Sequence, residues 1–184
     1  MAEPPAINTP RLILRPWALA DAEDLQRLAG HREIADTMIS VPHPFTLEQA
    51  RNWISSHALS FAQGTAVHFA IELKASRSLA GAIELRAISQ EHSHGELSFW
   101  VAPGGWGQGL ATEGTTAVIR HGFEQLGLNR IQAFHMVRNP GSGRVLEKIG
   151  MRREGVLRQL VRKWGQFEDV VLMAILRADW IAKC

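Results

Sequence analysis

A glycine-rich stretch near the middle of the chain constrains the fold more than any other feature. Residues 100–113 contain four glycines and lie between a segment typical of a β-strand, 95–99, and a segment with helical spacing of apolar residues. The first turn of a helix presents N–H groups without partners and the positive end of the helix dipole. Glycine also lets the backbone approach a ligand closely. The stretch therefore predicts a phosphate or pyrophosphate site in a strand-to-helix turn.

Two common phosphate-binding motifs do not fit this stretch. Gly104 and Gly109 have the spacing of a Walker loop, but Leu110 replaces the lysine that must follow the last glycine. The dinucleotide-binding fingerprint needs a third glycine where Thr112 stands. Nucleotide hydrolysis and dinucleotide binding are therefore disfavoured. A glycine-rich turn without any ligand stays an alternative at this point.

The composition is that of an ordinary globular protein. The chain has 184 residues, of which 46% are hydrophobic and 21% charged, and its formal net charge is +2. This size suits one domain, and this charge is too small to argue for nucleic acid binding. The one cysteine, Cys184, cannot form an intrachain disulfide, which fits a reducing cytosol. Residues 1–5 lack the features of a signal peptide and the longest apolar run, 170–176, is too short to span a membrane, so we expect a cytoplasmic protein.

The spacing of apolar residues alternates between strand-like and helix-like along the chain. Strands are predicted at 11–17, 67–73, 79–88, 96–101, 131–137, 155–163 and 169–176. Helices are predicted at 20–30, at 46–63 behind a capping box, directly after the glycine-rich stretch, and at 142–149. The three strands from 67 to 101 follow one another on short connections, which indicates an antiparallel meander. The predicted fold class is α+β, an α/β mixed sheet with helices on its faces.

Four segments carry a resemblance to a known family. They are residues 9–16 at the first strand, 106–113 in the glycine-rich stretch, 139–151 around the last predicted helix, and 168–172 in the last strand. In this order and spacing they resemble the GNAT superfamily of acetyltransferases, and within it the RimJ/RimL-like branch of ribosomal-protein N-acetyltransferases. The resemblance covers nearly the whole chain. It implies a single GNAT domain over 1–184, with a mostly antiparallel central sheet, splayed strands and helices on both faces.

The resemblance implies acetyl-CoA as the donor and a primary amine as the acceptor, with direct transfer and no covalent enzyme intermediate. The coenzyme pyrophosphate would be held by a loop made of Trp106, Gly107, Gln108, Gly109, Leu110, Ala111 and Thr112. Trp106 stands where the family usually has arginine or glutamine. Pantetheine would lie between the splayed strands 96–101 and 131–137, beside Phe99, Trp100 and Val101. An N–H near Trp100 or Val101 would polarise the acetyl carbonyl.

The resemblance also assigns two polar residues to the sulfur end of the coenzyme. Asn139 would hydrogen-bond the pantetheine arm, and Ser142 would face the sulfur. Many family members use a tyrosine to protonate the leaving thiolate, but this sequence contains no tyrosine, so Ser142 is the candidate for that role. The alternative role of Ser142 is to cap the helix predicted to begin there.

A general base must take the proton of the attacking amine. Glu96 is the first candidate, since it opens the strand that would line the acetyl site. Its alternative role is that of an exposed carboxylate at a strand end. Glu84, His135 and a water relay are further candidates. An α-amine, with a pKa of about 7.7–8.0, needs a weaker base than a lysine, with a pKa of about 10.4.

The identity of the acceptor amine is the property that the residues indicate least directly. The branch resemblance favours a protein N-terminal α-amine, and the alternatives are a small amine such as an amino acid, polyamine or drug, or an acyl-CoA-binding module without turnover. Loops 39–45 and 164–167 are expected to wall the acceptor site. We expect no metal, because His92 and His94 lie in a polar turn with no cysteine nearby. We expect no contact with a membrane and no direct contact with nucleic acid. Whether the protein forms a homodimer is left undecided by the sequence.

Overall fold

An eight-stranded sheet forms the centre of the molecule in a computed structural model that describes residues 4–182. The strands are β1 (Ile7–Asn8), β2 (Leu12–Arg15), β3 (Val67–Leu73), β4 (Leu79–Ser89), β5 (His94–Val101), β6 (Arg130–Met136), β7 (Arg152–Lys163) and β8 (Gln166–Leu176). Their order across the sheet is β1-β2-β3-β4-β5-β6-β8-β7. Residues 1–3 and Cys184 lie outside the described residues. Residues 1–3 are part of the segment 1–5, which we expect not to be a signal peptide.

Helices cover both faces of this sheet. They are α1 (Ala22–Ala29), α2 (Arg32–Thr37), α3 (Leu47–Ala62), α4 (Leu110–Glu124), α5 (Pro140–Lys148) and α6 (Arg177–Ile181). One buried cluster joins α4 and α5 to the sheet through Val118 and Leu146. A second cluster joins α1, α2 and α3 to the other face through Leu25, Ile34 and Ile54. The predicted mixed fold with helices on both faces is therefore confirmed.

Residues 4–182 include no helix with the length and apolar character needed to cross a membrane.

Most predicted elements agree with the observed ones to within a few residues, and those that were not predicted are short. The elements β1, α2 and α6 span two, six and five residues, too few for an apolar period to be recognised. The predicted capping box at the start of α3 is confirmed, since the Thr46 hydroxyl accepts from Gln49 N at 3.2 Å and Gln49 Oε1 accepts from Thr46 N at 2.8 Å. Helix α5 begins at Pro140 rather than at Ser142.

The sheet opens between β5 and β6. These strands pair in parallel over four residues each, and the last pair is Leu97↔Ala133. Beyond it, β5 continues to Val101 against β4, while β6 continues to Met136 against β8. The two strands therefore diverge toward their C-terminal ends, and the predicted splay is confirmed.

Candidate active site

The glycine-rich stretch forms the turn from β5 into α4. After a 3-10 turn at Pro103–Gly105, Gly107 and Gly109 adopt φ angles of +74° and +77°, a region that glycine enters without strain. Gly109 is the N-cap of α4, and its carbonyl accepts from Glu113 N at 3.0 Å. The N–H groups of the first helical turn therefore have no carbonyl of an earlier turn to bind. A Cβ at Gly107 would meet no atom within 4 Å, so the turn is open on that side.

An ion pair that the sequence pattern does not predict anchors this turn to the edge of the sheet. Glu113 accepts from Arg11 Nε at 2.6 Å and from the Thr9 hydroxyl at 2.6 Å. Arg11 Nη1 also donates to the Gln108 carbonyl at 2.8 Å. Burial acts to raise the pKa of Glu113, but these hydrogen bonds hold it below its ordinary value, so the anchor is charged at neutral pH. The sequence does show an acidic residue in the first turn of a predicted helix, but this pattern does not indicate which basic residue it pairs with.

Two side chains of the turn bind the backbone beside them. Trp106 Nε1 donates to the Val101 carbonyl at 2.6 Å, although the residue is 52% exposed. Gln108 Nε2 donates to the Gly104 carbonyl at 2.8 Å. Trp106 stands where the family usually has arginine or glutamine. Its hydrogen bond stabilises the turn without a bound coenzyme.

A cavity lies in the opening between β5 and β6. Its lining includes Glu96, Ser98, Phe99, His135, Asn139 and Ser142. The two predicted catalytic residues, Glu96 and Ser142, are therefore brought to the same cavity although they are far apart in the chain. His135, the third candidate for the base, lies on β6 against α5, where a Cβ at Gly143 would come within 3.1 Å of its ring.

The backbone of β5 presents alternate residues to this opening. Ala102 N donates to the Ala80 carbonyl of β4, and peptide groups along an antiparallel strand alternate in direction. The backbone groups of Phe99 and Val101 therefore point into the opening, whereas those of Trp100 point toward β4. The Trp100 side chain is buried in the cluster that also holds α1 and α3.

Ser142 is the third residue of α5 and does not cap it. Asn139 is the cap, because its Oδ1 accepts from Ser142 N at 3.2 Å. The expectation that Ser142 caps this helix is therefore wrong. Asn139 Nδ2 donates to Ser142 Oγ at 2.9 Å, which leaves the hydroxyl hydrogen of Ser142 free to be donated in the cavity.

A row of charged side chains crosses the sheet beside the cavity. Arg86 on β4 lies directly opposite Glu96 on β5, and its Nε donates to Glu96 Oε1 at 2.9 Å. Arg86 Nη1 lies 3.8 Å from Glu84 Oε1, so the guanidinium lies between two carboxylates. Glu84 Oε2 is 2.9 Å from His68 Nδ1 on β3. Burial acts to raise the pKa of Glu84, but the contacts with His68 and Arg86 hold it below its ordinary value.

This row borders a second pocket between the sheet, α1 and α3, which we call the α3 pocket. It shares five lining residues with the cavity, so the two spaces adjoin; they are Met38, Ser40, Arg86, Ser98 and Phe99. Its further polar lining residues are His68 and Glu84. Its apolar walls are formed by Leu25, Ala29, Met38, Val41, Phe45, Trp53, Ala82 and Trp100.

His57 on α3 stacks on His68 behind this pocket. The two ring centroids are 3.9 Å apart and the rings are inclined by 6°, while the Trp53 ring meets His57 edge-on at 4.3 Å. Burial, together with the smaller effect of the neighbouring His68, lowers the pKa of His57 to about 3. His57 is therefore neutral at physiological pH and holds the His68 ring beside Glu84.

The loop between α2 and α3 forms one wall of the α3 pocket and is held from behind by the β7–β8 hairpin. Lys163 Nζ donates to the carbonyls of Met38 and Val41 at 2.8 and 2.7 Å, and Lys163 is 7% exposed. Trp164 Nε1 donates to Asp36 Oδ1 at 2.6 Å at the end of α2. The predicted wall 39–45 does line the two pockets, but residues 164–167 line neither of them. The hairpin supports the loop from behind, and a direct part for residues 164–167 in the wall of the acceptor site stays a prediction.

Lys163→Met is expected to lower the free energy of unfolding by about 2 kcal/mol, because the carbonyls of Met38 and Val41 lose their donor. Urea denaturation measures the loss. The matched control is Arg162→Met on the exposed side of the same strand, which should cost less than about 0.5 kcal/mol. Equal losses in the two variants would contradict a supporting role for Lys163.

Within residues 4–182, groups of three or more His, Cys, Asp or Glu side chains that could hold a metal ion are absent. His92, in the turn before β5, stacks on His94, the first residue of β5, with ring centroids 6.2 Å apart.

The sheet opens beside a glycine-rich helix start, and the Glu96 carboxylate lines the opening. This is the arrangement that the resemblance to acyltransferases using a coenzyme thioester implies. Residues 11–152 match the acetyltransferase (GNAT) domain family, and the chain belongs to that family. The predicted family and the predicted acyltransferase activity are thereby confirmed.

Named relatives cover almost the whole chain. The uncharacterized N-acetyltransferase YoaA of Bacillus subtilis is 31% identical over 94% of this chain and 97% of that protein. The ribosomal protein uS5-alanine N-acetyltransferase of Escherichia coli is 27% identical over 95% of this chain and 92% of its own. The crystal structure of spermidine N-acetyltransferase from Vibrio cholerae with CoA and spermine has a TM-score of 0.82 at 23% identity, covers 94% of this chain and 99% of that chain, and shows the shared fold. The relatives thus include enzymes named for a protein acceptor and for a small amine.

Proposed function

We propose that this protein transfers the acetyl group of acetyl-CoA directly to the α-amine at the N-terminus of a protein or peptide. The observation that supports this most is the opening between β5 and β6. It lies at the end of the strand that leads into the glycine-rich turn, so the pantetheine arm and the diphosphate of one coenzyme would bind in adjoining sites.

The diphosphate would bind the N–H groups at the start of α4, a position favoured by the helix dipole. The residues concerned are Gly107, Gln108, Gly109, Leu110, Ala111 and Thr112, with Trp106 supporting the turn. Pantetheine would pair with the backbone groups of Phe99 in the opening, as an added strand does, since the Val101 carbonyl already accepts from Trp106 Nε1. The Val101 N–H is the candidate for polarising the acetyl carbonyl, since that of Trp100 points toward β4. Asn139 could reach pantetheine through its second amide hydrogen, because the first is donated to Ser142.

The acceptor nitrogen must lose protons and the leaving thiolate must be stabilised, and the cavity offers a group for each task. The acceptor ammonium gives one proton to Glu96, and the free amine attacks the acetyl carbonyl carbon. The nitrogen of the tetrahedral intermediate gives its second proton to solvent as the C–S bond breaks. The leaving thiolate takes a hydrogen bond or a proton from Ser142 Oγ, whose hydrogen is free. This assignment gives Ser142 the role that a tyrosine has in many family members, in a chain without tyrosine.

The charge environment supports an α-amine over a lysine side chain as the acceptor. The pKa of Glu84 is held below its ordinary value despite burial, so Glu84 is a weak proton acceptor. Glu84 is the second candidate for the general base. An α-amine, with a pKa of about 7.7–8.0, is partly free base at neutral pH, whereas a lysine, at about 10.4, is almost fully protonated.

A small-molecule amine is the second candidate acceptor. The α3 pocket supports it, because apolar side chains from α1, α3 and the loop between α2 and α3 surround the space beside the cavity. Lys163 fixes that loop, so the pocket has a wall where a peptide groove would continue.

Release of free thiol from acetyl-CoA, followed with a panel of amines, tests the proposal. Peptides with a free α-amine should release thiol, and mass spectrometry should find the acetyl group on that amine. The same peptides with a blocked N-terminus and a free lysine should not react. Release with small amines alone would favour the second candidate, and tight acetyl-CoA binding without release from any amine would favour a binding module.

A further inference from the structure

The charges that line the α3 pocket and the adjoining cavity nearly cancel. Glu84 and Glu96 carry two negative charges, and Arg86 lies in contact with both. One negative charge is left, and His68 Nδ1 lies 2.9 Å from Glu84 Oε2. His57 adds no charge, because burial lowers its pKa to about 3. Among the residues that line these spaces, there is therefore at most one uncompensated negative charge to receive an ammonium.

The other walls of the α3 pocket provide no charged partner for a second charged group on the acceptor. They consist of aliphatic and aromatic side chains from α1, α3, β4, β5 and the loop between α2 and α3. Ser40 and Ser98 are the further polar residues of the lining, and a hydroxyl does not neutralise an ion. Moving a charged group from water into such surroundings without a partner of opposite charge is strongly unfavourable.

We infer that the acceptor brings one ammonium group and an apolar substituent to the α3 pocket. In an N-terminal acceptor this means an apolar first residue, while charged first residues and polyamines are poor substrates. The inference deepens the proposed function and rests on it, since it requires the acceptor to enter beside the row of Glu84, Arg86 and Glu96. It also separates this chain from the relative named for spermidine, which is a polyamine.

Two matched pairs of acceptors isolate the second charge. One pair is a heptapeptide that begins with norleucine or with lysine and is otherwise identical. The other pair is pentylamine and 1,5-diaminopentane. In each pair the members differ by one ammonium at the end of the same carbon chain, so apolar contacts along that chain are preserved. We expect kcat/KM to be at least tenfold higher for the singly charged member of a pair that reacts.

A pair of variants tests whether the pocket itself makes this choice. Val41 lines the α3 pocket from the loop and is partly exposed. Val41→Glu adds a second free carboxylate, and Val41→Gln adds the same shape without the charge. Val41→Glu should reduce the preference for the singly charged acceptor to less than about threefold, because the second ammonium gains a partner. Val41→Gln should keep the preference, and equal thermal midpoints of the two variants show that both fold alike.

The outcomes separate this inference from the proposed function. If only the small amines react and pentylamine is preferred, the N-terminal acceptor is wrong and the inference about charge stands. If the lysine peptide reacts as well as the norleucine peptide, the inference is overturned while the proposed function stands. Identical selectivity changes in Val41→Glu and Val41→Gln would also overturn it, because the effect would then not depend on charge.

Discussion

Replacing Glu96 by glutamine is expected to lower kcat of acetyl transfer by about a hundredfold at neutral pH. Glutamine cannot take the proton of the amine, yet its side-chain oxygen can still accept the hydrogen bonds that Arg86 Nε and Nη2 donate to Glu96. The fold and the coenzyme site should therefore be retained, and the KM for acetyl-CoA should change little. The deficit should shrink as the pH rises through the pKa of the amine, since more of the acceptor is then already deprotonated. Steady-state rates at several pH values measure both effects.

Glu84→Gln is the matched control for this variant. Glu84 is the neighbouring carboxylate on the same guanidinium, but it lines the α3 pocket and contacts His68. A smaller loss than that of Glu96→Gln is expected. A larger loss would assign the base to Glu84, and unchanged rates in both variants would leave the proton to a water relay.

Gly107→Asp is expected to weaken acetyl-CoA binding by about 2 kcal/mol, or about thirtyfold, at low salt. The φ of Gly107 is +74°, and aspartate tolerates this region better than most residues. A Cβ there meets no atom within 4 Å, so the change should leave the turn intact. The carboxylate would repel the coenzyme diphosphate at the start of α4. Isothermal calorimetry with acetyl-CoA measures the change.

Gly107→Asn separates charge from shape at the same position. Asparagine has nearly the same size and also tolerates a positive φ, so its effect should stay below about threefold. Raising the salt concentration should narrow the gap between the two variants, because screening weakens the repulsion. Equal affinities of the aspartate and asparagine variants at low salt would mean that the diphosphate does not bind this turn.

The coenzyme side of the site could be predicted because its signals are local. The glycine spacing, the strand before it and the helical period after it all lie within residues 95–126. The opening of the sheet followed from the family resemblance, since no local pattern shows where two strands stop pairing. The misassigned helix cap had a local signal that was available. Asn139 is a preferred cap and Pro140 a preferred first helical residue, so this pair already marks the start of α5.

The α3 pocket could not be predicted in the same way because its contacts are distant in sequence. Lys163 binds the Met38 carbonyl across 125 positions, and Arg138 binds Asp36 across 102. Patterns of spacing identify which residues lie on one element, but they do not identify which distant backbone carbonyl an ammonium will reach. The charge balance around Arg86 likewise depends on the pairing of three strands, β3, β4 and β5.

The parallel pairing of β5 and β6 has a consequence for how a long cosubstrate is held. Antiparallel neighbours can be linked by a tight hairpin, whereas parallel neighbours need a crossover, which here is α4. The crossover must leave from the same end of β5 at which the seam widens. One stretch of chain therefore brings two features to the same end of the sheet. They are the positive N-terminal end of helix α4 and the opening between β5 and β6, where backbone groups can bind a ligand. A molecule with phosphates at one end and a thioester at the other can be held at both ends without a separate binding module.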